Sequence, residues 1–238
     1  MKIVDAFPFY NELDVLEIRF KNLYDKVSAF IIVESPETHT GEPKPLYFNE
    51  NKDRYAQWLD KVVHIVAPVC PKNGLWEREK FQREQILQGL KTFSDDTYVM
   101  ISDADEIPDF DVISKCGLGP VQSLHLNMFE YSFDHMFMGE RWIGTVITQA
   151  WIVREKGPNY FRDYRWSFPQ IPDAGWHLSS FGDVEHIWKK MKTYAHAHDE
   201  KHKFQTKEDF EKYLKEGIHS DGKTKLLKRP AWVKLPKI

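Results

Sequence analysis

The amino-acid sequence predicts an α/β protein on a mostly parallel, doubly wound sheet, with an elaborated C-terminal half. Short apolar runs rich in Val or Ile recur at residues 3–7, 29–34, 62–66 and 97–102, and helix-like stretches lie between them. This β-α-β-α alternation is the pattern of a parallel sheet covered by helices on both faces. The fourth run ends in Asp103-Ala-Asp105, an acidic pair at a strand exit, and open α/β sheets bind ligands at that end of their strands.

Taken in order, Leu13, Leu16, Phe20 and Leu23 recur at helical spacing after Asn11, a suitable N-cap. Residues 53–59 and 76–90 supply two further helices. Beyond residue 110 the alternation is lost. Strand-like runs at 121–133 and 145–153 suggest hairpin or mixed-sheet additions, 157–175 reads as a polar loop, and 183–194 and 207–215 read as helices. The expectation is one domain over 1–238, a regular half at about 1–110 followed by an elaborated half at about 111–238.

Composition excludes several classes. The chain is 42% hydrophobic and 29% charged, with a net charge of −3, as befits a soluble globular protein. It carries no basic stripe for nucleic acid or an anionic membrane. No apolar run approaches the roughly 18 residues of a membrane span, and no signal peptide is visible, so a cytoplasmic protein is expected. Cys70 and Cys116 lack metal-type spacing and read as buried, reduced thiols. Most of the aromatic residues, including 8 Trp, should be core, with a minority free to stack on sugar rings.

Two carboxylates at i and i+2, just past a strand end, can turn toward one hard cation. Mg²⁺ or Mn²⁺ takes such oxygen ligands and shares its shell with substrate phosphates. The bare pattern is weak, and Asp109-Phe-Asp111 is a second copy. Only Asp103 and Asp105 sit at a strand exit; Asp109 and Asp111 read as the start of the next helix.

The longer string Asp103-Ala-Asp-Glu-Ile-Pro108 is more specific. It accompanies Asn11-Glu12 with Asp14, Arg19 and Phe20, then Glu34-Ser35, Gly41-Glu42-Pro43, Pro45-Leu46, Trp76, Arg83 and Gly175-Trp176-His177. With these the chain resembles glycosyltransferase family 17, the group that contains the β-1,4-mannosyl-glycoprotein N-acetylglucosaminyltransferase. The resemblance implies a GT-A fold, an inverting reaction, a UDP-sugar donor, in particular UDP-N-acetylglucosamine, a glycan acceptor and a divalent metal, Mn²⁺ or Mg²⁺.

Further candidates follow. Glu34, at a strand end, could accept from uracil or ribose, or serve as a cap. Arg83 could reach the diphosphate. His177, matching the family's Gly-Trp-His, could complete a metal shell with Asp105 and Asp103, or donate to a phosphate. Glu185 matches the family's glutamate after that motif and is the expected general base, with Asp183 second and Glu130 or Asp134 in reserve. His196, His198 and His202 resemble a metal cluster in a polar, Lys-rich stretch, and Lys190 reads as part of a solvated helix face. His64 and His125 read as structural.

Rival readings are a sugar nucleotidyltransferase, disfavoured because the first glycine is Gly41 and no Gly-rich loop follows the first strand, and a non-catalytic carbohydrate-binding module. A phosphatase using Asp-x-Asp-x-Thr is disfavoured by Ile107.

Overall fold

The computed structural model describes residues 1–138, 142–193 and 205–238. Within these, eleven strands occur: β1 (Ile3–Phe9), β2 (Ala29–Glu34), β3 (Val62–Val66), β4 (Tyr98–Ile101), β5 (Glu106–Pro108), β6 (Val121–Glu130), β7 (His135–Met136), β8 (Trp142–Gln149), β9 (Gln170–Ile171), β10 (Gly175–Ser179) and β11 (Leu227–Lys228). The main path runs β11-β7-β6-β8-β4-β1-β2-β3, with β9 and β10 on β6, and β5 on β10.

The N-terminal half is parallel, as expected: β1 pairs with β2 and β4, and β2 with β3. The second half is mixed, because β8 runs antiparallel to both β4 and β6, while β6 and β10 are parallel.

Period-two alternation places Phe7, Phe9, Phe30 and Ile32 in one core with Leu16, Phe20 and Leu23 of the helix Leu13–Leu23. Val4, Ala6, Ile31 and Val33 face a second core with Ile86, Leu90, Ala150, Val153 and Phe161. Both faces are therefore dry, which is why these strands read as unbroken apolar runs.

Three local expectations are corrected. The run 145–153 is not one strand: β8 ends at Gln149 and Ala150–Lys156 is a helix. An apolar, β-branched stretch buried on both sides carries no period to distinguish the two. The supposed loop 157–175 contains the helix Pro158–Asp163, opened by a proline at its first turn. Cys70 is buried, but Cys116 is exposed at the end of Phe110–Cys116. The acidic pair beyond β5 behaves as expected, since Asp109 caps that helix by accepting from the Asp111 N–H. No helix among the described residues is long and apolar enough to cross a membrane.

Candidate functional site

A cavity of about 590 Å³ opens at the carboxyl ends of β1 and β4, between the parallel half and the elaboration. Asp103 and Asp105 lie on its wall in the short turn between β4 and β5.

The turn is held from below by Arg19, on the inward face of the first helix. Its Nη1 donates to the carbonyls of Asp103, Ala104 and Glu106 at 3.0, 3.0 and 2.7 Å. Its Nε and Nη2 bind Asp5 of β1, and Nη2 also donates to Ser102. From the side, β10 fixes the same turn: the Leu178 N–H donates to the Asp105 carbonyl at 2.8 Å, and His177 pairs with Glu106. Gly175 permits this approach. Its φ is +151°, and a Cβ there would lie 2.2 Å from the Ile107 carbonyl oxygen.

The two aspartates have different surroundings. Asp103 accepts from Arg83 Nη2 at 3.0 Å and from Arg162 Nη2 at 2.6 Å, one guanidinium on each oxygen, and its side chain stays 35% exposed. Burial raises its pKa, but Arg162 and Arg83 outweigh that and hold it down at about 2. Arg162 is itself forked onto the buried Glu106, at 2.8 and 3.0 Å, and Glu106 also accepts from Trp142 Nε1.

Asp105 is nearly buried. Lys190 Nζ donates to its Oδ2 at 2.9 Å, and His177 Nε2 stands 3.5 Å from Oδ1. Burial pushes this carboxyl up, yet the Lys190 and His177 contacts prevail and hold it well below the usual range. His177 stacks on Trp142, centroids 4.4 Å apart, and its Nδ1 is buried without a hydrogen-bond partner among the described residues.

The expected residues are thus partly reunited. Asp103, Asp105, Arg83 and His177 converge. Asp103, with both oxygens occupied by guanidiniums, orients cations in this arrangement and does not stand free as a metal ligand. Lys190 is no solvated face: it shares the inner side of Val184–Thr193 with Ile187 and Met191. Arg162 was hidden in the supposed loop and had no sequence signal of its own.

Other candidates stand apart. Glu34 has no exposed surface, and its carboxylate accepts from the backbone N–H groups of Phe48 and Asn49 and meets His64 Nε2 at 3.1 Å. It caps Tyr47–Glu50 and lies off the cavity wall, so a donor-binding role is not supported. Glu185 is 71% exposed, contacts Lys207 and lines neither cavity. Its place as general base fails on geometry, because the first turn of its helix points outward there. Asp183 accepts from the His186 N–H, as a cap does, and lines a second cavity of about 300 Å³ with His186 and Phe181. Glu130 is buried against Ser220 and His219, behind the wall. Asp134 lines neither cavity. The cluster His196, His198 and His202 lies outside the described residues.

One carboxylate was passed over. Glu12 lines both cavities; its Oε2 accepts from the Tyr10 and Asn11 N–H groups, and Oε1 accepts no hydrogen bond among the described residues. It could have been found from its position at the exit of the first strand.

The β-1,4-mannosyl-glycoprotein 4-β-N-acetylglucosaminyltransferases of Rattus norvegicus and Homo sapiens are each 32% identical to this chain over 116 residues. That stretch is 45% of this chain and only 22% of each relative's length. Among solved structures, the 2-C-methyl-D-erythritol 4-phosphate cytidylyltransferase of Francisella tularensis covers 79% of this chain and 98% of its own, at a TM-score of 0.42 and 10% identity, a likeness that says nothing of activity. A family model for glycosyltransferase family 17 matches residues 1–220, and the chain belongs to that family.

Proposed function

We propose that this protein is an inverting glycosyltransferase that moves a sugar, N-acetylglucosamine by analogy with its relatives, from a UDP-sugar to a glycan hydroxyl with help from Mn²⁺ or Mg²⁺. The observation that carries the reading is the convergence of Asp103 with Arg83 and Arg162, and of Asp105 with His177 and Lys190, in one cavity at the strand ends.

Charge balance supports a metal. Asp103, Asp105 and Glu106 already face three cations, Arg83, Arg162 and Lys190, so a diphosphate adds uncompensated negative charge. The donor set is sparse: among the described residues no three His, Cys, Asp or Glu side chains are grouped so as to hold one metal ion. That suits an ion that keeps most of its shell for water and phosphate. Asp105 Oδ1 and His177 Nε2 would hold it. Such an ion neutralises charge developing on the leaving diphosphate.

The chain's own groups do the rest. Arg83, fixed by Asp103 and Glu79, keeps an Nη1 proton beyond its bond to Asn159 for a phosphate oxygen, and Arg162, held on Glu106 and Asp103, adds a fixed positive charge beside it. Trp142, flat on His177, offers an apolar face for the transferred sugar. Glu12, shared by both cavities, takes the proton of an acceptor hydroxyl arriving from the side of Asp183, His186 and Phe181.

The test is a donor screen by calorimetry and hydrolysis with UDP- and GDP-sugars, with Mn²⁺ and with EDTA. Metal-dependent preference for UDP-N-acetylglucosamine is expected. Glycan binding without any nucleotide binding would instead favour a carbohydrate-binding module.

A further inference from the structure

Lys190 is placed unlike a surface lysine. Its side chain is 15% exposed, it is carried inward between Ile187 and Met191, and its ammonium meets Asp105 Oδ2 at 2.9 Å. Among the described residues it makes no other hydrogen bond, although an ammonium has three protons to donate. A full positive charge therefore rests on the carboxylate that the proposed metal needs.

We infer that Lys190 is an exchange ligand: it occupies Asp105 before the donor arrives, and transfers its ammonium to the donor's diphosphate when the divalent cation takes that carboxylate. The inference rests on the glycosyltransferase reading and adds to it a further donor-binding residue. Two cations compete for one carboxylate, and the incoming diphosphate offers the displaced one a new anionic partner. The flexible four-carbon stem lets a lysine change partner without moving its helix, which a fixed guanidinium fork such as Arg162 on Glu106 does not. The Lys189 ammonium, donating to Tyr47 Oη at 2.7 Å, ties the helix to the short helix Tyr47–Glu50, so the stem alone makes the change.

The exchange predicts effects of opposite sign, which a purely structural lysine would not give. By calorimetry, Lys190→Met should bind Mn²⁺ alone up to about 10-fold more tightly than wild type, since a competitor is gone. The same variant should bind UDP in the presence of Mn²⁺ about 10- to 100-fold more weakly, the worth of a charged hydrogen bond. Both affinities falling together, or neither changing, overturns the exchange. Should Lys190→Met fail to fold, amine labelling of the wild-type protein followed by mass spectrometry replaces it. Reactivity at Lys190 should rise on adding Mn²⁺ and fall when UDP follows; constant reactivity overturns the inference. If wild type with Mn²⁺ takes no UDP, the donor reading fails, and pyrophosphate in the same titrations judges Lys190 by itself.

Discussion

Arg19 and Asp5 form a two-pronged ion pair with no exposed surface on either side chain, Nε donating to Oδ2 at 2.7 Å and Nη2 to Oδ1 at 2.6 Å. The pair joins the first helix to the first strand, and the remaining Arg19 donor holds three carbonyls of the turn that carries Asp103 and Asp105. Stability and site geometry therefore share one side chain.

Arg19→Met should destabilise the fold by about 3–5 kcal/mol, because Asp5 is left charged and unpaired in the core. Urea denaturation measures it. Restoring neutrality with Asp5→Asn in the same chain should recover part of the loss, while donor affinity stays low because the turn has lost its anchor. A loss below about 1 kcal/mol for the single variant would contradict the role.

Asp105→Asn should abolish metal-dependent UDP binding with circular dichroism unchanged, since His177 alone is a weak site. Asp111→Asn should behave as wild type, because Asp111 offers only its backbone N–H to the Asp109 cap. Full transfer activity after dialysis against EDTA would remove the metal from the mechanism.

Glu12→Gln should lower kcat by about 10²–10⁴ with UDP affinity within a few-fold of wild type, the signature of a lost general base. Glu185→Gln should cost little, as its ion pair to Lys207 is exposed to solvent and screened by salt. A large kcat loss in Glu185→Gln, with Glu12→Gln unaffected, would restore the base to the first turn of Val184–Thr193 and refute the geometry argued for Glu12.

Glu130 gives a pH signature. Burial pushes its carboxyl from an ordinary 4.5 up to about 7, against the pull of Ser220 and His177. The folded state then binds more protons than the unfolded one between those values, so this stabilisation is complete below about 4.5 and is lost as pH rises through about 7. Wild type should therefore lose up to about 3 kcal/mol relative to Glu130→Gln between pH 5 and 8, read by denaturation at each pH. His219 and Asp221 face the same carboxylate, and a second variant, His219→Gln, separates their titration from that of Glu130. A constant difference between wild type and Glu130→Gln would show that Glu130 is ionised throughout.

The chain positions of the first four strands, their parallel pairing and the placing of Asp103 and Asp105 at a strand exit were legible in the sequence. Each is written in local apolar period and in residues a few positions apart. The inward setting of Lys190 was legible too, had the spacing of Ile187 and Met191 been weighed above the charge of Lys189, Lys190 and Lys192. Which cation meets which carboxylate was not. Arg83 reaches Asp103 across 20 residues, Arg162 across 59, and Lys190 reaches Asp105 across 85. No local pattern records such pairings. They follow from how the helices Leu75–Glu84, Pro158–Asp163 and Val184–Thr193 pack around the strand ends, leaving Glu185 outward to solvent, while the docking of Tyr47–Glu50 on β2 turns Glu34 inward as its cap. Local chemistry set the elements and the acidic turn; only the tertiary packing chose its partners, because burial lets a charge persist only where another element brings its counter-charge within reach.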